Sequence, residues 1–407
     1  TGRIQVSDDF RGITISPLIS KIFEHCIIEN FNEYLYTSDN QFGFKRKLSC
    51  AHAIFSVRAV IDYFVNNNST INMCTLDVSK AFDKVNHCKL FIKLMKRNLP
   101  VNIILLLNNW LSKIFISVRW SGVDSEVFQL FAGVRQGGVL SPCLFAIYVN
   151  DVLEKICKSH FGCHIENLAT NIFMYADDII LLSSSLTDLQ RLIDICEYDF
   201  YELDLKFNIK KSACLRIGKA FSAACANIVL NNEAIPWVFS TRYLGVYFKN
   251  GTKCNFDFTE IKSKFYRSVN SIFSKIGTMK NINVVLSLLF SFSVPIIMYA
   301  LEAIQLNNKS FKSLENSYFK MFYKVFNTFD KNIINHCMYY FGYKPFCYHK
   351  VLFLKKMSCN QNMMLSLLFE KFAKSELVAL CSKYDISNRP NDVKRKIWNF
   401  FEEKIGL

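Results

Sequence analysis
Asp177 and Asp178 stand side by side between two runs of large apolar residues, in "IFMYADDIILLSSS", residues 172–185. Like charges on adjacent residues repel, so a positive partner is expected opposite them. A third acid, Asp77, ends the apolar-leaning run "INMCTLD". If the strand before Asp77 packs beside the segment holding Asp177 and Asp178, three carboxylates converge, which only cations make tenable. All-oxygen donors select the hard ions Mg²⁺ or Mn²⁺. Two such ions about 3.5–4 Å apart clamp the attacking and leaving oxygens of an in-line phosphoryl displacement. The bland alternatives are a solvated acidic turn at Asp177 and Asp178, and a helix N-cap at Asp77 before "SKAFDKV".

Such chemistry needs a rigid scaffold, and the pattern around the acids predicts one. Two short apolar runs broken by a small polar cluster predict a tight β-hairpin over 172–185, and residues 71–76 read as a strand ending at Asp77. Helices are predicted over 18–36, with Ile19, Ile22, Phe23, Cys26 and Ile27 at helical spacing, and over 50–65. Helix resumes near residue 87, and Ser141-Pro142 opens another, with Pro suited to the first turn. From about residue 255 onward the pattern turns mostly helical.

The bulk numbers narrow the partners. The 407 residues carry 49 Lys+Arg against 34 Asp+Glu, a formal net charge of +15, which points to a polyanion. Aromatic residues make up 15% of the chain, so the basic surface is not that of a disordered tail. The 15 cysteines are scattered and odd in number, which fits a reducing compartment better than a disulfide framework. The chain starts at Thr1 with no charged-then-apolar leader, and the expectation is the downstream part of a longer product. Residues 284–301, "VVLSLLFSFSVPIIMYAL", approach membrane-span length, but their serines and Pro295 favour a buried helix, so no stable membrane association is expected.

"CTLDVSKAFDKVNH", "GVRQGGVLSPCLFAIYVND" and "MYADDIILLSSS", in this order, resemble the central motifs of reverse transcriptases. Upstream, "FRGITISPLISKIFE" and "NQFGFKRKLSCAHAI" resemble the finger motifs of non-LTR retrotransposon polymerases. Downstream, "LDLKFNIKKSACLRIG" and "STRYLGVYF" resemble the palm motifs that follow the catalytic hairpin. The resemblance covers at least residues 9–305 and fades in the last hundred.

It implies an α+β right-hand polymerase: fingers over residues 1–70, a palm with an antiparallel sheet over 71–250, a helical thumb over 251–350 and a helical tail over 351–407. The implied activity is RNA-directed DNA synthesis, with an RNA template, a DNA primer and dNTPs as partners, two Mg²⁺ ions as cofactors (Mn²⁺ as substitute), and a nuclear location for integration. Asp77 and Asp177 would bind both metals, with Asp178 completing the cluster. Phe82 matches the ring that blocks a ribose 2′-hydroxyl, or is a core phenylalanine, and both can hold. Val78, Gln136 and Gly137 would adjoin the incoming nucleotide or template; a plain loop–helix junction is the alternative for the last two. Arg11 matches the finger arginine that contacts triphosphate, although its usual lysine companion would lie upstream.

Lys211 matches the lysine that protonates pyrophosphate, with Lys210 a close competitor and an exposed, inert lysine the alternative. Lys45 and Arg46, where the family usually has Arg directly after "GF", are expected to touch nucleic acid. Asp83 is expected to serve structure, and Tyr243-Leu244-Gly245 to form the hairpin that grips the primer end. Two Cys/His groups, Cys157 to His164 and His336 to His349, lack a CxxC pair, so core packing is expected there rather than zinc. Two other readings share the motifs: a decayed polymerase fold that only binds nucleic acid, and a group II intron-type maturase. Metal-dependent synthesis separates the first from the enzyme.

Overall fold
The nine residues INMCTLDVS form β1 (Ile71–Ser79) in the computed structural model, which describes residues 12–277, 281–341, 346–386, 393, 395–397 and 399–400. The chain divides into two units, residues 1–49 with 64–239 and residues 50–63 with 240–407.

In the first unit β1 is the spine of an antiparallel sheet. The apolar runs flanking the acid pair form the hairpin of β2 (Ile172–Tyr175) and β3 (Asp178–Ser183), and β3 pairs with β1 from Asn72↔Ser183 to Asp77↔Asp178. The other edge of β1 is shared between two strands. β4 (Lys206–Phe207) pairs with Val78 and Ser79, and β5 (Ala213–Ile217) pairs with residues 71–75. Side chains alternate between the two faces of a strand. One face carries Cys74, Leu76, Val78, Met174, Ile179 and Leu181 into a single core. That core is completed by helices α3 (His87–Lys96), α4 (Val101–Ser112), α5 (Ser141–Lys158) and α6 (Leu186–Glu202). Asp77, Tyr175 and Asp178 belong to the opposite face by the same alternation.

The first helix differs from expectation. α1 runs over Leu18–Asn30, and a 3₁₀ turn at Asn32–Tyr34 follows it. Ile19 and Ile22 are 72% and 51% exposed, while the buried positions are Glu24 and Ile27. A carboxylate faces inward here, and its partners are described below.

α2 (Cys50–Asn66) leads into β1, and its residues 50–63 belong to the second unit. There His52 and Phe55 place their rings against Phe353. The second unit opens with a three-stranded antiparallel sheet, β6 (Ser240–Tyr243), β7 (Val246–Lys249) and β8 (Asn255–Asp257). Helices follow from α7 (Thr259–Ile276) onward, as the sequence pattern predicts. The apolar stretch 284–301 is not one helix. It comprises α8 (Ile282–Leu288), a π-helical turn at Leu289–Ser293, and α9 (Val294–Met298). Pro295 lacks the N–H that would continue the i to i−4 ladder, which accounts for a break at this point. No described helix is long and apolar enough to cross a membrane.

Candidate active site
The backbone ladder brings two of the three acids together. Asp77 and Asp178 are directly opposed Cα partners at the end of the β1–β3 pairing, so their side chains leave the same face. Asp177 precedes Asp178 in the turn Ala176-Asp177, which Tyr175↔Asp178 closes. Asp77 and Asp177 are half-buried and Asp178 is exposed.

Asp77 is tied to a second segment through its own backbone. Its N–H donates to Ser212 Oγ at 3.3 Å, and its carbonyl accepts from Asn208 N at 2.8 Å. Ser212 Oγ closes the loop by donating to Asn208 O at 2.8 Å. The 3₁₀ turn Ile209–Lys211 lies inside this loop, so Lys210 and Lys211, both exposed, are presented beside Asp77 by two bonds to its main chain.

The hairpin rests on a segment from far upstream. Phe42 N donates to Met174 O at 2.8 Å, and Met174 N donates to Asn40 O at 2.9 Å. Gln41 Oε1 accepts from Ala176 N at 3.1 Å, within the turn itself. A Cβ on Gly43 would stand well inside 3.0 Å of Ala176 N, so only glycine fits this approach. Phe44 then meets the ring of Phe82 edge-on, with centroids 6.3 Å apart.

Phe82 lies in a 3₁₀ turn just after β1 and is half-buried. Its ring also stacks on Phe145 of α5 at 4.8 Å, which fixes its plane. Beside it runs the loop preceding α5. Val134 N donates to Phe82 O at 2.8 Å, and Gln136 Nε2 reaches Asp83 Oδ1 at 3.3 Å. Thr14 N donates to Gln136 O at 2.7 Å. Gly137 adopts φ 108°, and a Cβ there would lie 2.8 Å from Thr14 O, so this loop position requires glycine.

Glu24 clamps the loop on both sides of Gln136 and Gly137. Its Oε1 accepts from Arg135 at 2.7 Å, and its Oε2 accepts from Val139 N at 2.6 Å and Leu140 N at 2.8 Å. The Glu24 and Arg135 side chains are only 3% and 13% exposed. A carboxylate from α1 thus holds the two residues that lead into α5. Arg135 lies over Trp110, and Trp110 stacks on Phe23 of α1.

Other expected residues fall elsewhere. Arg11 lies outside the described residues. The Val78 side chain is 4% exposed in the core, so that residue presents only its backbone to the site. Lys45 does not face outward as expected: its Nζ donates to the carbonyls of Thr37 at 2.9 Å and Ser38 at 2.6 Å, and burial pushes its pKa down to about 8. Arg46 pairs with Glu29 at the surface. Tyr243, Leu244 and Gly245 form the β6–β7 turn of the second unit, where Tyr299 donates its hydroxyl to Leu244 O at 2.8 Å. His164 hydrogen-bonds the carbonyls of Gly162 and Ser159, and Cys163 is buried in the core.

Sequence reasoning missed Glu24, Gln41 and Ser212, while Asp83, expected to serve structure, holds the Gln136 side chain. A trace of Glu24 was present: an acid between Phe23 and Ile27 falls on the inward face of an amphipathic helix.

Among the described residues no group of three or more His, Cys, Asp or Glu is drawn round a common point as a ready metal site. Backbone register opposes Asp77 to Asp178 and leaves Asp177 in the adjoining turn. Their donor chemistry, oxygen only and open to solvent at Asp178, suits a hard divalent cation.

The curated relatives are proteins of mobile elements. The Pol polyprotein of the type-2 retrotransposable element R2DM of Drosophila melanogaster is 28% identical over 260 residues, covering 61% of this chain and 24% of that protein. The RNA-directed DNA polymerase of the mobile element jockey from Drosophila funebris is 27% identical over 252 residues, covering 59% of this chain and 26% of that protein. The chain thus spans about a quarter of the length of these relatives. Among solved structures, telomerase of Candida albicans with a fragment of telomeric RNA aligns over 90% of this chain and 55% of that one, at 12% identity. Its TM-score is 0.41. Residues 5–248, more than half of the chain, match the reverse transcriptase (RNA-dependent DNA polymerase) family, and the chain belongs to that family.

Proposed function
We propose that this chain is the polymerase part of a non-LTR retrotransposon protein and extends a DNA primer on an RNA template, consuming dNTPs. The observation that carries the reading is the Asp77↔Asp178 pairing with Asp177 in the adjoining turn, inside a reverse transcriptase domain. Asp77, Asp177 and Asp178 would hold Mg²⁺. Bound there, the ion supplies Lewis acidity that lowers the pKa of a primer 3′-hydroxyl and neutralises charge on the triphosphate.

The chain's own residues do the positioning. Phe82, its plane set by Phe145, excludes a 2′-hydroxyl by contact. Gln136 and Gly137 offer a flat polar edge and bare backbone to a base pair. Lys211 is the proton donor to departing pyrophosphate, with Lys210 one position away, and Arg11 binds the triphosphate. The described parts of residues 1–70 serve as fingers, 71–250 as palm, and 251–350 as thumb, with the nucleus as the site of action.

The test is primer extension on a heteropolymeric RNA template with dNTPs and Mg²⁺, comparing the protein with Asp177→Asn. Synthesis by the first and not the second supports the reading. Template binding without synthesis by either would favour a decayed polymerase that only binds.

A further inference from the structure
The turn that carries Asp177 is not self-supporting. Ala176 adopts φ 58°, a left-handed conformation that residues with a Cβ rarely enter, and neither turn residue is the Gly or Asn that favours it. The Ala176 N–H is also out of reach of water, since the residue is 5% exposed. Its partner is a side chain more than a hundred residues upstream. Gln41 Oε1 accepts from Ala176 N at 3.1 Å and from Gly43 N at 2.9 Å, so one oxygen satisfies two buried donors. Gln41 is 1% exposed, and its Nε2 has no hydrogen-bond partner among the described residues. The oxygen is therefore the part of the side chain that the fold uses.

Gln41 is also held in place. It forms a parallel bridge with Met174, and the neighbouring Asn40 Nδ2 donates to Ile172 O at 2.8 Å. Asn40, Gln41 and Phe42 thus grip β2, and the Gln41 oxygen extends that grip to the tip of the hairpin.

We infer that Gln41 is a positioning residue for the polymerase reaction: its side-chain oxygen locks Ala176 in the left-handed turn and so determines where the Asp177 carboxylate stands. The inference rests on the proposed polymerase reading. Losing the acceptor leaves a buried N–H unpaired, which the turn relieves only by moving. The carboxylate moves with it, and the metal site and reaction geometry loosen together.

The experiment compares Gln41→Met, which keeps size and loses the acceptor, with Phe42→Leu, which trims packing against Phe173 and keeps it. Three quantities are read: amide exchange at Ala176 in the protein alone, Mn²⁺ affinity by calorimetry, and kcat with KM for dNTP. In Gln41→Met, Ala176 exchange should quicken at least ~10-fold relative to Ile180 in the adjoining ladder. Mn²⁺ should bind more weakly, and kcat should fall about 10- to 100-fold while KM stays within about twofold. Phe42→Leu should lower Tm and change none of these. Unchanged Ala176 exchange and Mn²⁺ binding in Gln41→Met, or the same changes in Phe42→Leu, would overturn the inference.

If Gln41→Met does not fold, Gln41→Glu carries the test, because a carboxylate oxygen can accept both N–H groups. Retained protection at Ala176 supports the inference, and lost protection in a folded protein overturns it. An inert wild type would sink the polymerase reading, and the exchange and Mn²⁺ contrasts would still decide for or against Gln41.

Discussion

Asp77 and Asp178 owe their juxtaposition to a ladder of six paired positions between β1 and β3, whereas Gln136 and Gly137 are held by side chains from separate elements. In the ladder each residue contributes a little, and no side chain is essential to the register. In the loop, one carboxylate, Glu24, satisfies a guanidinium and two backbone N–H groups, and Asp83 holds Gln136. Distributed support sets the register of the acid end through main-chain pairing. Concentrated support makes the loop depend on a few charges.

The sharpest test of that contrast is at the acids. Asp177→Asn should lower primer extension at least about 10³-fold, because several kcal/mol of charge stabilisation vanish. Its Tm should stay within about 2 °C, since Asn keeps the side chain's shape and Asp177 takes no part in the ladder pairing. A large fall in Tm would mean that the acid end is not independently supported.

Glu24→Ala should destabilise the protein by about 3–5 kcal/mol in urea unfolding, because it strands a buried guanidinium. Adding Arg135→Met should recover much of that loss, since replacing both charges of a buried pair by apolar groups is often neutral. A cost near that of an ordinary surface substitution would break the comparison.

Phe82→Ala sits where the two regions meet, between Phe44 and Phe145. Discrimination against ribonucleotides should fall about 10- to 100-fold in single-nucleotide extension, the range that shape alone supplies in a pocket. Unchanged discrimination would assign the ring to packing only.

The smallest effect concerns Lys45, which closes the loop bearing Gln41. Its folded pKa of about 8 lies below the ordinary 10.5, so the folded state binds fewer protons between those values. Stability from this group is therefore present in full above pH 10.5 and is lost as pH falls towards 8. Lys45→Met should flatten the rise in Tm between pH 8 and 10.5. An unaltered slope would show that Lys45 keeps its charge against the two carbonyls.

Much of the site was legible because its information is local. The apolar runs on either side of Asp177 and Asp178 specify a hairpin by themselves, and β1 and α5 begin within a residue or two of their sequence signals. The loop was legible only as glycines before a helix. Which partners hold it depends on residues such as Glu24 and Arg135, 111 positions apart, and no periodicity records such a pairing. The same gap hides which face of α1 is buried: Ile19 and Ile22 are exposed, and Glu24 points in, where Arg135 and two backbone N–H groups satisfy it.

Residue type and order therefore determined the acids, the hairpin, the strand that meets it and the family. Those features arise from alternation, turn chemistry and motif order within short windows. Tertiary structure alone decided that Gln41 caps the Asp177 turn, that Lys45 bonds inward to carbonyls, and that Glu24 clamps the loop. In each case a polar group is buried, and burial is tolerated only where distant parts of the chain supply its hydrogen-bond partners.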